Sequence, residues 1–280
     1  MSYQIRCMSR AEIDIAVDWA AAESWNPGLY DAECFHQADN EGFLVGLKDG
    51  QPVACISVVK YDESFAFLGF YIVKPEFRGQ GLGLEIWNTG IQRLAGCNVG
   101  LDGVIDQQEN YRKSGFTLAY NNMRFEGVTG EVVSADSDIL ISRNPGFAEV
   151  TEYDAAFFPA DRGSFLTSWL QQPQSVVLAS IDGKQITGYG MIRQCRNGFK
   201  IGPLFADNAK IANILFNELL ASVAANKPVY LDVCEQNPAA LEMAQRHGMK
   251  CVFETARMYT GKPPSLPFDR LYGVTSFELG

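Results

Sequence analysis

Residues 67 to 84 read FLGFYIVKPEFRGQGLGL: an apolar run, a proline break, then three glycines at alternate positions, Gly79, Gly81 and Gly83. Leu68 to Val73 carries no charge and is rich in aromatic and β-branched side chains, which suits a strand covered on both faces, and Pro75 ends it. Beyond the glycines, Leu82, Ile86, Ile91 and Leu94, with Trp87 beside them, fall on a helical stripe, so the loop opens a helix. Glycines leave main-chain N–H groups uncovered, and a helix N-terminus adds unsatisfied donors and a positive dipole end. The stretch is therefore either an anion site or a plain tight strand-to-helix turn. Two familiar phosphate loops fail on spacing. G-x-G-x-x-G counted from Gly79 or Gly81 meets Leu84 or Ile86 where its third glycine belongs. The Gly-Lys pairs of the chain, Gly183-Lys184-Gln185 and Gly261-Lys262-Pro263, lack the Ser or Thr of a P-loop.

The chain has 280 residues, 47% hydrophobic and 12% aromatic, which suggests two domains with sizeable cores. The first twenty residues contain no apolar signal core, and no stretch reaches the 18 or so apolar residues of a membrane span. Seven scattered cysteines with no C-x-x-C pair argue for reduced thiols, so a soluble cytoplasmic protein without a membrane partner is expected. Acidic residues outnumber basic ones by 33 to 23, a net charge of -10 that disfavours nucleic acid and mildly attracts a cationic amine. Only His36 and His247 are present, which leaves little room for histidine-based metal or triad chemistry, and no metal is expected.

Around the glycine loop the elements fall in a definite order. Tyr3 to Met8 alternates as an edge strand, and Ser9 with Glu12 makes a capping box for a helix to about Glu23. Trp25-Asn26-Pro27-Gly28 follows, then a short helix over Asp31 to Ala38. Strands Phe43 to Leu47 and Val53 to Val59 flank an Asp49-Gly50 hairpin turn. Past the glycine helix come a strand Val99 to Asp102, a helix Gln107 to Ser114 closed by Gly115, and a strand Phe116 to Phe125. This β-α-α-β-β-β-α-β-α-β order, with Arg78-x-x-Gly81-x-Gly83 after the fourth strand and Tyr111 four residues before Gly115-Phe116, resembles the GNAT superfamily of N-acyltransferases over about 125 residues.

A second copy follows. Asp49-Gly50, Gly69, Gly115 and Arg124 recur as Asp182-Gly183, Gly202, Gly248 and Arg257, each displaced by the same 133 residues. The strand and helix pattern repeats: strands 176–179, 186–192 and 200–205, a helix 210–225, a strand 229–233 and a helix 238–246. At that offset Arg78, Gly79, Gly81, Gly83 and Tyr111 become Ile211, Ala212, Ile214, Phe216 and Ala244, so the copy keeps the fold and loses the cradle. The expected architecture is α/β (α+β): two tandem GNAT-like domains, each a mixed, mostly antiparallel sheet flanked by helices. Residues 1–127 form the acyl-CoA-binding domain, 128–145 a linker with room for a strand, and 146–280 the degenerate domain and its tail.

The resemblance implies an acyl-CoA donor, most simply acetyl-CoA, and a small-molecule primary amine acceptor. The donor's diphosphate would lie on the amides of Gly79, Gln80, Gly81, Leu82 and Gly83, with Arg78 as a further cofactor-binding residue, and the pantetheine arm would pair as a pseudo-strand with Tyr71, Ile72 and Val73. That pairing needs a sheet that splays open. Tyr111 would protonate the departing thiolate, since a phenol stays protonated at neutral pH, or else pack as an ordinary aromatic. Asp102 is offered as base or amine-binding group, the alternative being a strand-terminal turn residue. Trp25 and Asn26 are offered as acceptor contacts. The sequence departs from the family where an Asn is usual eleven residues before Gly-Phe: Val104 stands there, whereas the second copy has Asn237. The competing readings are an acyl-CoA sensor without turnover and a purely structural tandem. No motif specifies the amine or the oligomeric state.

Overall fold

A computed structural model describes residues 2–130 and 139–280. The first repeat runs β1 (Tyr3–Cys7), α1 (Arg10–Ala22), α2 (Asp31–Ala38), β2 (Phe43–Lys48), β3 (Gln51–Lys60), β4 (Phe65–Val73), α3 (Leu82–Arg93), β5 (Asn98–Val104), α4 (Gln108–Lys113) and β6 (Thr117–Val128). Local chemistry sets these bounds. Glu12 accepts from the Ser9 amide at 2.9 Å and starts α1. Asp49 and Gly50 both take positive φ, 50° and 83°, the geometry that turns β2 into β3. Gly115 closes α4 at φ 89°.

The second repeat has the same order: β7 (Leu140–Ser142), α5 (Phe147–Asp154), α6 (Gly163–Trp169), β8 (Ser175–Asp182), β9 (Gln185–Gln194), β10 (Phe199–Ala206), α7 (Ala209–Ala221), β11 (Pro228–Cys234), α8 (Pro238–Arg246) and β12 (Lys250–Tyr259). A further short strand, β13 (Leu271–Gly273), follows. The strand allowed for in the linker is β7, which pairs with β8, while residues 131–138 of that linker lie outside the described residues. The helix expected to reach residue 225 stops at Ala221, short of Asn226 at φ 59°.

The strands form one sheet in the order β1-β2-β3-β4-β5-β12-β6-β11-β10-β9-β8-β7, with β13 attached to β10. Only β4·β5 and β10·β11 run parallel among the described strands. The sheet therefore runs across residues 127 and 146, because the last strands of the repeats are exchanged. β12 of the second repeat pairs with β5 of the first, and β6 of the first pairs with β11 of the second. In each junction an arginine meets an aspartate directly across the ladder, Arg257 with Asp102 and Arg124 with Asp232. Both pairs are buried, and both guanidinium groups bind in bidentate fashion.

Helices cover both faces. α3 and α4 place Ile86, Trp87 and Tyr111 on Ile56, Val58 and Leu68. On the other face α1 and α2 share a core with α6 of the second repeat, where Phe35, Phe43, Phe70, Phe165 and Trp169 meet. The repeats are thus joined by ladder, ion pairs and core together.

Candidate active site

The sheet opens where the glycine stretch begins. β4 and β5 pair only from Phe65↔Asn98 to Leu68↔Leu101, and beyond Leu68 the two strands part. A bulge sharpens the parting. Between Cys55↔Ile72 and Ser57↔Gly69, three steps along β4 face two along β3, with Phe70 at φ 47°. The Lys74 amide donates to Val53 O at 3.0 Å, so alternation turns the main chain of Tyr71 and Val73 into the gap. The splay that a strand-like ligand arm requires is present.

At the mouth of the gap lies the loop. Gly79 and Gly81 adopt φ 74° and 83°, and a Cβ at either would meet open space. Among the described residues the amides of Gly79, Gln80, Gly81, Leu82 and Gly83 have no protein acceptor. Those uncovered donors, at the start of α3, suit a diphosphate. Gly83 answers to a different need: a Cβ there would stand 2.7 Å from Tyr71 Oη. Arg78 anchors the loop, since its Nε donates to Val73 O at 2.8 Å and its Nη2 pairs with Glu23. The Gln80 side chain turns away to accept from Lys48 Nζ at 2.7 Å.

The second repeat has the same splay and fills it. β10 and β11 pair from Phe199↔Val229 to Ile201↔Leu231 and then part. β13 enters the opening, pairing Leu204↔Gly273 and Phe205↔Leu271 with β10, and the Val274 amide donates to Asp232 O at 2.8 Å. α7 is capped by its own Asn208, whose side chain accepts from the Ile211 amide at 3.1 Å. The expected counterparts of the loop need correction: Ile211, Ala212, Ile214 and Phe216 lie inside α7, the first, second and fourth buried and Ile214 half-buried, while the position that matches the N-cap Gly81 is Asn208. Asn237 caps α8 through the Ala240 amide at 3.2 Å.

The gap in the first repeat leads into a cavity of about 500 Å³ lined by residues of both repeats. Tyr111 lines it, stacked on Trp87 with ring centroids 5.7 Å apart. Its hydroxyl has no hydrogen-bond partner among the described residues, and burial pushes the phenol up to about 12. Trp25 also lines the cavity, and its carbonyl accepts from Arg124 Nη1 at 2.5 Å.

Two expected site residues are placed otherwise. Asn26, at φ 50°, exchanges hydrogen bonds with the main chain of Asn197 at 3.0 Å each way and lies outside the cavity lining. It pins the Trp25–Gly28 loop to the second repeat. Asp102 borders the cavity, but its carboxylate accepts from Arg257 at 3.0 and 2.5 Å and from Asn122 at 2.8 Å. Burial pushes its carboxyl up against the opposing pull of Arg257. A carboxylate so committed has little capacity left for an amine.

Residue-by-residue reading missed Arg124 and the wall from the other repeat: Phe253, Thr255, Phe277 and Glu278 line the cavity with it. One signal existed. Gly69 and Gly202 recur at the repeat spacing, and each makes room for the tail: a Cβ on Gly69 would stand 2.3 Å from Glu278 O, and one on Gly202 would stand 2.5 Å from Val274 O.

Comparison with known proteins agrees with this geometry. The profile of the acetyltransferase (GNAT) family matches residues 10–116, and that of an acetyltransferase (GNAT) domain matches residues 150–273. A holothin acyltransferase of Pseudoalteromonas sp. (strain SANK 73390) is 33% identical over 274 residues, spanning 97% of this chain and 92% of the relative. Among solved structures, a Pyrococcus horikoshii protein described as a candidate acetyltransferase superposes with a TM-score of 0.83 at 21% identity, over 99% of this chain and 96% of that one. A tandem GNAT protein from the clavulanic acid biosynthesis pathway gives a TM-score of 0.65 at 12% identity, over 94% and 100%. The chain belongs to the GNAT family, as an acyltransferase with two GNAT domains in tandem.

Proposed function

We propose that this protein transfers an acyl group, most simply acetyl, from acyl-CoA to the primary amine of a small molecule, in the cytoplasm and by direct attack. The observation that carries the reading is the contrast between the two splays: β13 fills the second, while the first stays open from a row of uncovered amides to a cavity. In the first, Gly79 to Gly83 would hold the diphosphate of the donor, and the main chain of Tyr71 and Val73 would hold its arm, while the main chain of Ile72 faces β3. Arg78 shapes the loop by fixing Val73 and Glu23.

Tyr111 supplies the proton that the leaving thiolate takes up, its raised pKa keeping the phenol protonated until then. Trp25 forms one wall for the acceptor. Asp102 and Asn26 hold the two repeats together instead of touching the acceptor. The likeness to a holothin acyltransferase makes holothin the first acceptor to try.

The test is thiol release from acetyl-CoA with a panel of amines that includes holothin. Turnover should appear with at least one amine and fall about a hundredfold or more in Tyr111→Phe with acetyl-CoA affinity unchanged. Thiol release from no amine across the panel would sink the reading.

A further inference from the structure

We infer that Glu278, carried by the tail of the second repeat, is the carboxylate that takes the proton from the attacking amine. This inference rests on the acyltransferase reading and adds the missing base to it. Three acidic residues line the cavity among the described residues, Glu23, Asp102 and Glu278. Glu23 is bound to Arg78 and Asp102 to Arg257. Glu278 has no guanidinium or ammonium partner among the described residues.

Its setting fixes it in place. Glu278 is only 4% exposed and lines the cavity. Ser276 Oγ donates to Oε2 at 2.7 Å while accepting from the Glu278 amide at 3.0 Å, which holds the side chain against its own backbone. Oε1 has no hydrogen-bond partner among the described residues. The backbone is equally fixed: the Glu278 carbonyl fills the place a Cβ on Gly69 would take, and Tyr61 Oη donates to Leu279 O at 2.9 Å. Gly69 is the first residue of β4 past its pairing with β5, so the backbone of residue 278 sits where the gap opens.

The nearby cationic groups are engaged elsewhere or too far to pair with it. Arg124 on β6, Arg193 on β9 and Lys200 on β10 act on Glu278 electrostatically, but Arg124 is paired with Asp232 on β11 and Arg193 with Asp31 on α2. Lys200 Nζ is buried without a hydrogen-bond partner, and burial pulls its pKa down. The cavity wall includes the rings of Trp25, Phe253 and Phe277, with the Arg124 guanidinium over the last two. The acceptor that fits is a primary amine on a compact apolar body, its nitrogen at Glu278 and the rest among the aromatic rings.

In the step, the amine nitrogen forms the C–N bond to the thioester carbon as Glu278 Oε1 takes one of its protons. The C–S bond breaks with its electron pair going to sulfur, and sulfur takes the proton of the Tyr111 hydroxyl. Exchange with solvent then deprotonates Glu278 and reprotonates Tyr111, so the net transfer is one proton from amine to thiol.

Glu278→Gln keeps the size and loses the base. With an amine the wild type acylates, kcat/KM should fall about a hundredfold or more while acetyl-CoA affinity by calorimetry stays within twofold. Turnover within threefold of wild type would overturn the inference and leave the acyltransferase reading intact. Should Glu278→Gln no longer bind acetyl-CoA, Glu278→Asp decides: a loss of tenfold or more with binding retained supports the assignment, and wild-type turnover refutes it. A wild type that turns over no amine removes both together.

Discussion

Gly79, Gly81 and Gly83 stand at alternate positions in one short loop and look equivalent, yet they answer to different constraints. The first two need positive φ and border open space, whereas Gly83 is held small by the Tyr71 hydroxyl. The place of Tyr111 on α4, lining the cavity, was legible because its spacing to Gly115-Phe116 is local. Asn26 and Asp102 were not, because their partners lie 171 and 155 residues away. Tyr111 also gives a stability prediction. Burial raises its pKa from 10.0 to about 12, so the folded state holds this proton more tightly than the unfolded chain. The stabilisation is complete below about pH 10 and is lost as pH rises from about 10 to 12. Melting temperatures taken across that window should fall more steeply for wild type than for Tyr111→Phe. Parallel curves would show that the phenol is not buried as described.

Among the strands, the repeat was readable and the exchange was not. A fixed offset of 133 residues reports that two stretches share a fold, and the strand positions followed from it. It does not report which copy of the last strand lies beside which copy of the fifth. Arg124 and Arg257 occupy the same repeat position, and Asp102 and Asp232 face them in matching registers, so either pairing would satisfy the same side chains. The exchange makes each ion pair a bond between repeats. Removing one partner strands a buried charge, so Arg257→Met should destabilise the protein by about 3–5 kcal/mol. At roughly 2 °C or more per kcal/mol, that lowers the melting temperature by at least about 6 °C. Asp102→Leu combined with Arg257→Met should recover most of the loss, since the double variant leaves no unpaired charge. A loss below about 1 kcal/mol in the single variant would show that the junction does not depend on this pair.

For the molecule as a whole, the tail decides how two similar halves come to differ. Residues 271–280 are buried along their length, first as β13 in the splay of the second repeat and then as a wall of the cavity in the first. One segment thus closes one site and completes the other. The sequence showed that the second repeat lacks the glycines, but the fixed offset put their counterparts at Ile211, Ala212, Ile214 and Phe216, inside α7, whereas the helix entry is Asn208, and it did not show what fills the splay. A ten-residue tail carries no periodicity to assign it to a gap far away in the chain. The asymmetry can be counted by titrating the full chain with acetyl-CoA in a calorimeter, alongside Gly81→Glu, which puts a bulky anion where the uncovered amides lie. One equivalent bound per wild-type chain and none by Gly81→Glu is the predicted result. Two equivalents per chain, or undiminished binding by Gly81→Glu, would contradict it.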